Sequence, residues 1–316
     1  MVERVGYQQL DSLLPEGRPL RMVDRLELDL DEKRARGVKL NSVNEEFYQG
    51  HFPSRPVMPG VLQVAAMTQV AGALLRRLED LPPDHLFVLE AINRIKFRKP
   101  AGPGDRMQVE AWIDDDRDTD ASVFTVKGRT LVDGKVTCEG LLDLRAGAPT
   151  DLVPAPRSMD EDIRLPEGVA EFDPADIEAV RSLTPHRYPF LFVDRILHLD
   201  RENHRIVALK NVTGNEPFWN GLPVAVVPAY LQAEMAAQAG SVLAFASMAG
   251  AENLVLFMSI DSARFREPVV PGDALVLDVE ATQRRQFGAA KGSLYVGDRP
   301  VTEIALKFAI VPRESE

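Results

Sequence analysis

The sequence predicts an α+β protein made of two copies of one domain, each an antiparallel sheet curved around a buried helix. Three observations carry this. PEGRPLRMVDR at 15–25 returns as PHRYPFLFVDR at 185–195, NEEFYQG at 44–50 as NEPFWNG at 215–221, and INRIKFRKPAGPGD at 92–105 as IDSARFREPVVPGD at 260–273, at offsets between 168 and 171. A nearly constant offset marks a duplicated unit. In each copy a long segment that starts after Pro59-Gly60 or Pro228-Ala229 is apolar all round, with Gln63, Thr68 and Gln69 the strongly polar residues of the first copy. A helix of that kind is normally wrapped by protein. Four strand-like runs then finish each copy, broken by PGD and by DGK or GDR turn signals.

The elements come in the same order in both copies. A short helix precedes MVDRLELDL or FLFVDRILHL, which alternate as strands. Second short strands are expected at 36–40 and 205–210, followed by a loop, the long helix and the four strands. Between the copies, APTDLVPAPRSMDEDIRLPEG at 148–168 is rich in proline and acid and has no periodicity. The domains are therefore expected at 1–147 and 171–316, joined by a linker at 148–170.

Composition narrows the function classes. With 45% hydrophobic and 27% charged residues over 316 positions, the chain can bury two cores and has no extended disordered tract. The longest apolar stretch, 61–75, falls short of the roughly 20 residues a membrane span needs, so no span is expected. No secretory signal heads the sequence. Cys138 is the one cysteine, which excludes an intramolecular disulfide and suits a reducing, cytoplasmic setting. No Cys/His spacing suggests a metal, and no cofactor is expected. A net charge of −11 and a pI near 5.1 argue against nucleic acid as a partner. An acidic protein partner would need a local basic patch.

Two residues stand out for chemistry. His51 lies in GHFPSRPVMPG, where Pro53, Pro56 and Pro59 fix their own φ and restrict the residues before them. A histidine on so stiff a loop, with an ordinary pKa of about 6.5, can accept a proton near neutral pH; it could equally be satisfied by nearby backbone. Glu234 lies among Ala233, Met235, Ala236 and Ala237. Such surroundings raise a carboxyl pKa and suit a general acid, unless the residue lies at a solvated helix edge. Gln238, one turn later, is placed to hydrogen-bond that carboxyl.

With PHRYPFLFVDR, NEPF, ARFREPVVPGD and KFAI, these segments resemble the 3-hydroxyacyl-[acyl-carrier-protein] dehydratase family (FabA/FabZ type), across nearly the whole of both copies. The resemblance implies a tandem hot-dog fold in which two sheets each wrap a central helix and pair as an intramolecular pseudo-dimer. It implies sites that join a loop histidine of one unit to a helix carboxylate of the other. By that rule His51 takes the proton alpha to the thioester carbonyl of a (3R)-3-hydroxyacyl substrate, and Glu234 helps expel the 3-hydroxyl as water. A helix N-terminal amide would hold the carbonyl, at Gly60 or at Ala229, where the family has glycine. Tyr188 would gate the pocket. The acyl group would arrive on an acyl carrier protein or coenzyme A.

Alternation places Arg94, Lys96 and Arg98 on one strand face, echoed by Arg264 and Arg266, either as a carrier-protein docking stripe or as a solvated face. The small residues Ala233, Ala236 and Ala237 either leave room for an acyl chain or serve tight helix packing.

The departures from the family pattern define the expected site. Ala65 stands where the family has its glutamate. Seven steps from Gly221 to Pro228 replace the nine from Gly50 to Pro59, so the histidine is either replaced by Leu222 or deleted. Neither copy holds both groups. One composite site from His51 and Glu234 is expected, beside a degenerate one marked by Ala65 and Leu222. Two other functions compete with dehydration. A hot-dog thioesterase or hydratase is disfavoured by the intact histidine loop, and a non-catalytic acyl or carrier-protein binding module would leave His51 and Glu234 in separate cavities. Further assembly of the pseudo-dimers into a homo-oligomer is open.

Overall fold

The structure, a computed structural model, describes residues 2–79, 82, 84–113, 122–155, 157–158, 163–169, 174–247 and 253–312. In the first copy, β1 (Val2–Val5), a 3-10 turn (Tyr7–Ser12), β2 (Arg25–Asp29) and β3 (Arg34–Leu40) precede a central helix, Gly60–Leu78. β4 (Leu86–Phe97), β5 (Arg106–Ile113), β6 (Val123–Val132) and β7 (Lys135–Gly147) complete it. The second copy runs through a short helix (Ile177–Ser182), β8 (Arg195–Asp200), β9 (Arg205–Asn211) and the second central helix, Ala229–Ser247. It ends with β10 (Asn253–Phe265), β11 (Ala274–Arg284), β12 (Phe287–Val296) and β13 (Arg299–Pro312).

All strands join one antiparallel sheet in the order β1-β2-β3-β5-β6-β7-β4-β10-β13-β12-β11-β9-β8. The copies meet at β4 and β10, where Ile95 lies opposite Ile260 and Ile92 opposite Ala263. Both helices belong to a single buried core shared by the two halves. From Tyr230 to Ala244 every residue of the second helix is buried, which is why its sequence has no polar stripe. This is the tandem hot-dog architecture, closed on itself as an intramolecular pseudo-dimer.

Two features differ from the sequence reading. β1 was not expected; it pairs with β2 (Val2 opposite Asp29), and among the described residues of the second copy a bridge joins Ala175 to Ile196. The connecting segment is also held down rather than loose. Leu165 and Val169 cover a second, outer cluster of Leu197, Val207, Leu209 and Val276, and Arg157 pairs with Asp273 at 3.0 Å. The outward side chains of β8, β9 and β11 are apolar there, and covering them offsets the entropy of fixing the segment. Its expected end at residue 170 and the expected start of the second domain at 171 lie outside the described residues. No described helix is long and apolar enough to cross a membrane.

Candidate active site

The loop that carries His51 is fastened at both ends. His51 N–H donates to Phe47 O at 2.9 Å, Val57 N–H to His51 O at 2.9 Å, and Met58 N–H to Ala101 O at 2.8 Å. It then meets the second copy, where Arg187 N–H donates to Gly50 O at 3.0 Å. A Cβ on Gly50 would stand 2.1 Å from Arg187 O, so only glycine permits this approach. At the end of the loop, a Cβ on Gly60 would likewise stand 2.7 Å from the Phe97 ring.

Across that junction three side chains converge. His51, His186 and Glu234 each present one ring nitrogen or carboxylate oxygen, and these three atoms lie within 4.8 Å of one another. The His51 ring stacks on Phe52 at 4.0 Å and meets the edge of Phe190 at 5.8 Å and His186 at 5.4 Å. Its Nδ1 is 2.7 Å from Val57 O, a carbonyl that can only accept, so Nδ1 carries the proton and Nε2 offers a lone pair. Gln238 Nε2 donates to Glu234 Oε1 at 2.9 Å, and His186 Nε2 lies 3.7 Å from that oxygen. The His51–Glu234 pairing was expected from the sequence. His186 was not, although a comparison of the copies marks it: Pro15-Glu16 in the first copy is Pro185-His186 in the second.

Burial sets the protonation states. With Phe52, His186 and Phe190 around it, the His51 imidazolium is poorly solvated, and its pKa falls to about 4 against the opposing hydrogen bond to Val57. His186 is lowered by burial, then by His51 and Arg187. Desolvation lifts Glu234 to about 7, partly offset by Gln238. At neutral pH the pair is thus a neutral imidazole facing a carboxyl that retains much of its proton. The same shift bears on folding. A folded value above the ordinary 4.5 leaves stability untouched below that pH and costs about 3 kcal/mol once the pH passes 7. In urea unfolding, Glu234→Gln is expected to match the wild type near pH 4 and exceed it by about that amount at pH 8.5.

The pseudo-equivalent place keeps the scaffold and loses the chemistry. Gly17 N–H donates to Gly221 O at 2.6 Å, echoing Arg187 and Gly50. Gln69 accepts from Met22 N–H at 2.8 Å and donates to Leu20 O at 2.7 Å, as Gln238 does with Phe192 and Phe190. Gln238 therefore has a scaffold role that needs no carboxylate. Leu222 follows Gly221 as His51 follows Gly50, Ala65 matches Glu234, and Glu16, lifted to about 7 by burial, matches His186. Glu16 also raises the pKa of the buried Tyr230 phenol. Ala229, next to Tyr230, thus starts its helix beside the Glu16 end, whereas Gly60 lies on the His51 loop.

The remaining expected residues fall into place unevenly. Tyr188 is 77% exposed and covers nothing in this conformation. Arg94, Lys96, Arg98, Arg264 and Arg266 are all exposed, but Arg98 pairs with Glu139 and Arg266 with Glu303, which neutralises two of the five. Ala233, Ala236 and Ala237 are packed in the core. Space is found instead at the junction of the copies, in an apolar cavity of about 40 Å³ lined by Phe47, Leu62, Phe190, Phe192, Phe218 and Leu231 among others. Ligand atoms around tetrahedral zinc stand about 3.3 Å apart, so the atoms of His51, His186 and Glu234, spread over up to 4.8 Å, would have to close in by up to about 1.5 Å to share an ion.

The FabA-like domain matches this chain at residues 14–140 and again at 184–305. The chain belongs to that family. As a FabA-like protein it carries the domain twice, which is the duplication read from its repeats. The 3-hydroxyacyl-[acyl-carrier-protein] dehydratase FabZ of Desulforamulus reducens is 46% identical over 138 residues, 43% of this chain and 96% of that protein. Its namesake from Symbiobacterium thermophilum is 46% identical over 132 residues, 41% of this chain and 92% of that protein. Each relative therefore corresponds to one copy. The dehydratase domain of PpsC from Mycobacterium tuberculosis, solved in complex with C12:1-CoA, covers both copies: 94% of this chain and 100% of that one, at 10% identity and a TM-score of 0.58. At that identity the likeness speaks for the fold.

Proposed function

We propose that this FabA-like protein dehydrates (3R)-3-hydroxyacyl thioesters to trans-2-enoyl thioesters at one composite site, in fatty-acid or related lipid or polyketide synthesis. We take residues 1–147 and 171–316 as its two halves, and an acyl carrier protein or coenzyme A as the bearer of the acyl group. The observation that carries the reading is that a ring nitrogen of His51 and a carboxylate oxygen of Glu234, which retains much of its proton at neutral pH, lie within 4.8 Å of each other although they come from different copies. A worn-down binding module would have no reason to keep this pair matched in distance and in protonation.

His51 Nε2 removes the proton alpha to the carbonyl, and the charge that develops on the carbonyl oxygen is met by the N-terminal amide of the Gly60 helix. Glu234 gives its proton to the 3-hydroxyl, which leaves as water. The cycle closes when the proton on His51 passes to Glu234, downhill from a group with a pKa of about 4 to one of about 7. The acyl chain runs towards the apolar cavity beside Phe190.

The test is enoyl-thioester formation from (3R)-3-hydroxyacyl pantetheine thioesters of several chain lengths on both carriers. No turnover in the wild type on any of them would sink the reading. Where turnover occurs, kcat/KM is expected to be bell-shaped. It should fall below about pH 4 as His51 gains a proton and above about pH 7 as Glu234 loses one. A profile flat from pH 5 to pH 9 would exclude Glu234 as the acid.

A further inference from the structure

We infer that Thr184 and His186 are positioning residues that decide which oxygen of Glu234 carries the catalytic proton. The inference rests on Glu234 acting as the acid in the proposed reaction. It starts from the side chains that surround one carboxylate oxygen.

Thr184 Oγ1 lies 3.5 Å from the His186 backbone N–H and 2.5 Å from His186 Nδ1. In the proposed arrangement the hydroxyl oxygen accepts from the backbone N–H and its O–H donates to Nδ1. A ring whose Nδ1 accepts carries its proton on Nε2. Nε2 then stands 3.7 Å from Glu234 Oε1, just outside hydrogen-bond length, and Gln238 Nε2 already donates to that oxygen at 2.9 Å. An oxygen that faces two donors is the poorer place for a proton, so the carboxyl keeps its hydrogen on Oε2, away from the scaffold. When that proton leaves with the hydroxyl group, the charge left on Oε1 is met by the Gln238 N–H and draws in the His186 N–H from 3.7 Å.

The first copy supports treating these residues as a unit. Where it has lost the glutamate, at Ala65, it has lost both partners too: Leu14 matches Thr184 and Glu16 matches His186. It nevertheless keeps Gln69, whose two backbone bonds are needed with or without a carboxyl. What disappeared with the acid is what the inference assigns to the acid.

The experiment compares kcat, KM and the alkaline limb of the kcat profile in the full chain for His186→Leu, His186→Gln and Thr184→Val. Besides His186, the titratable group that approaches this carboxyl among the described residues is His51, while Arg187 acts on His186, and all variants retain both. His186→Leu is expected to lower kcat about 100-fold with KM changed less than about threefold, since the loss falls on a general-acid step. Its alkaline limb should move to higher pH, because a donor to the carboxylate has gone. His186→Gln, whose amide N–H can reach the same oxygen, should recover most of kcat and return the limb. Thr184→Val should shift both in the direction of His186→Leu by a smaller amount, which keeps the inference testable if the leucine variant does not fold. An unchanged kcat, a fall in kcat with the limb in place, or a limb moving to lower pH would each overturn it. If Glu234→Gln itself stays active, the underlying reading fails instead, and that outcome is separately visible.

Discussion

Alanine at His51 or glutamine at Glu234 is expected to lower kcat by at least about 1,000-fold, and the double variant by little more than either, because general base and general acid act in one event. The sharper result comes from mixing. If one copy from each of two chains could pair, the two inactive single variants would regenerate a working site when refolded together. Here the halves are joined through β4 and β10 and share one core, so mixed variants are expected to stay inactive. Adding a glutamate at Ala65 to the Glu234→Gln chain should not restore turnover either, since Ala65 belongs to the Glu16 end and not to His51. Activity recovered on mixing would place the site between chains and remove the pseudo-dimer from the mechanism.

The reach of the sequence can be judged from particular residues. The repeat offset, the unstriped helices and the strands other than β1 followed from patterning, because burial on every side and alternation leave direct marks. His51 and Glu234 were legible for a different reason: one stands on a loop stiffened by three prolines, the other is an acid among small apolar residues, and both fall on the motifs that carry the family resemblance. His186 was harder. It lies in a string valued for its match to the first copy, and its importance appears only where that match breaks, at Glu16. The hold of the connecting segment on Leu197, Val207, Leu209 and Val276 was not legible at all. Two apolar residues among prolines and acids, Leu165 and Val169, have no period to betray them. Nor does a repeat state which strands fuse the copies, since β4 and β10 differ from the other strands in their partners rather than in their pattern.

A glycine pair offers the other large effect. Gly50→Ala puts a methyl 2.1 Å from Arg187 O and 2.8 Å from Phe190 N, and Gly221→Ala puts one 2.5 Å from both Gly17 O and Arg18 O. All of these contacts are with backbone, which cannot rotate aside, so each variant must push one loop away from the other copy. Each is expected to lose about 2–4 kcal/mol of stability, the range of overpacking and strained contacts. Their effects on turnover should diverge. Gly50 immediately precedes His51, and a shift of about 1 Å in the loop separates the base from Glu234, so kcat should fall about 100-fold in molecules that remain folded. Gly221 precedes Leu222, which does no chemistry, and Gly221→Ala should retain most of its kcat at a temperature well below its midpoint. Chemical unfolding paired with kinetics on the folded fraction separates the two terms. Equal losses of kcat in both variants would mean that the Leu222 side still catalyses, and that the chain has two working sites rather than one.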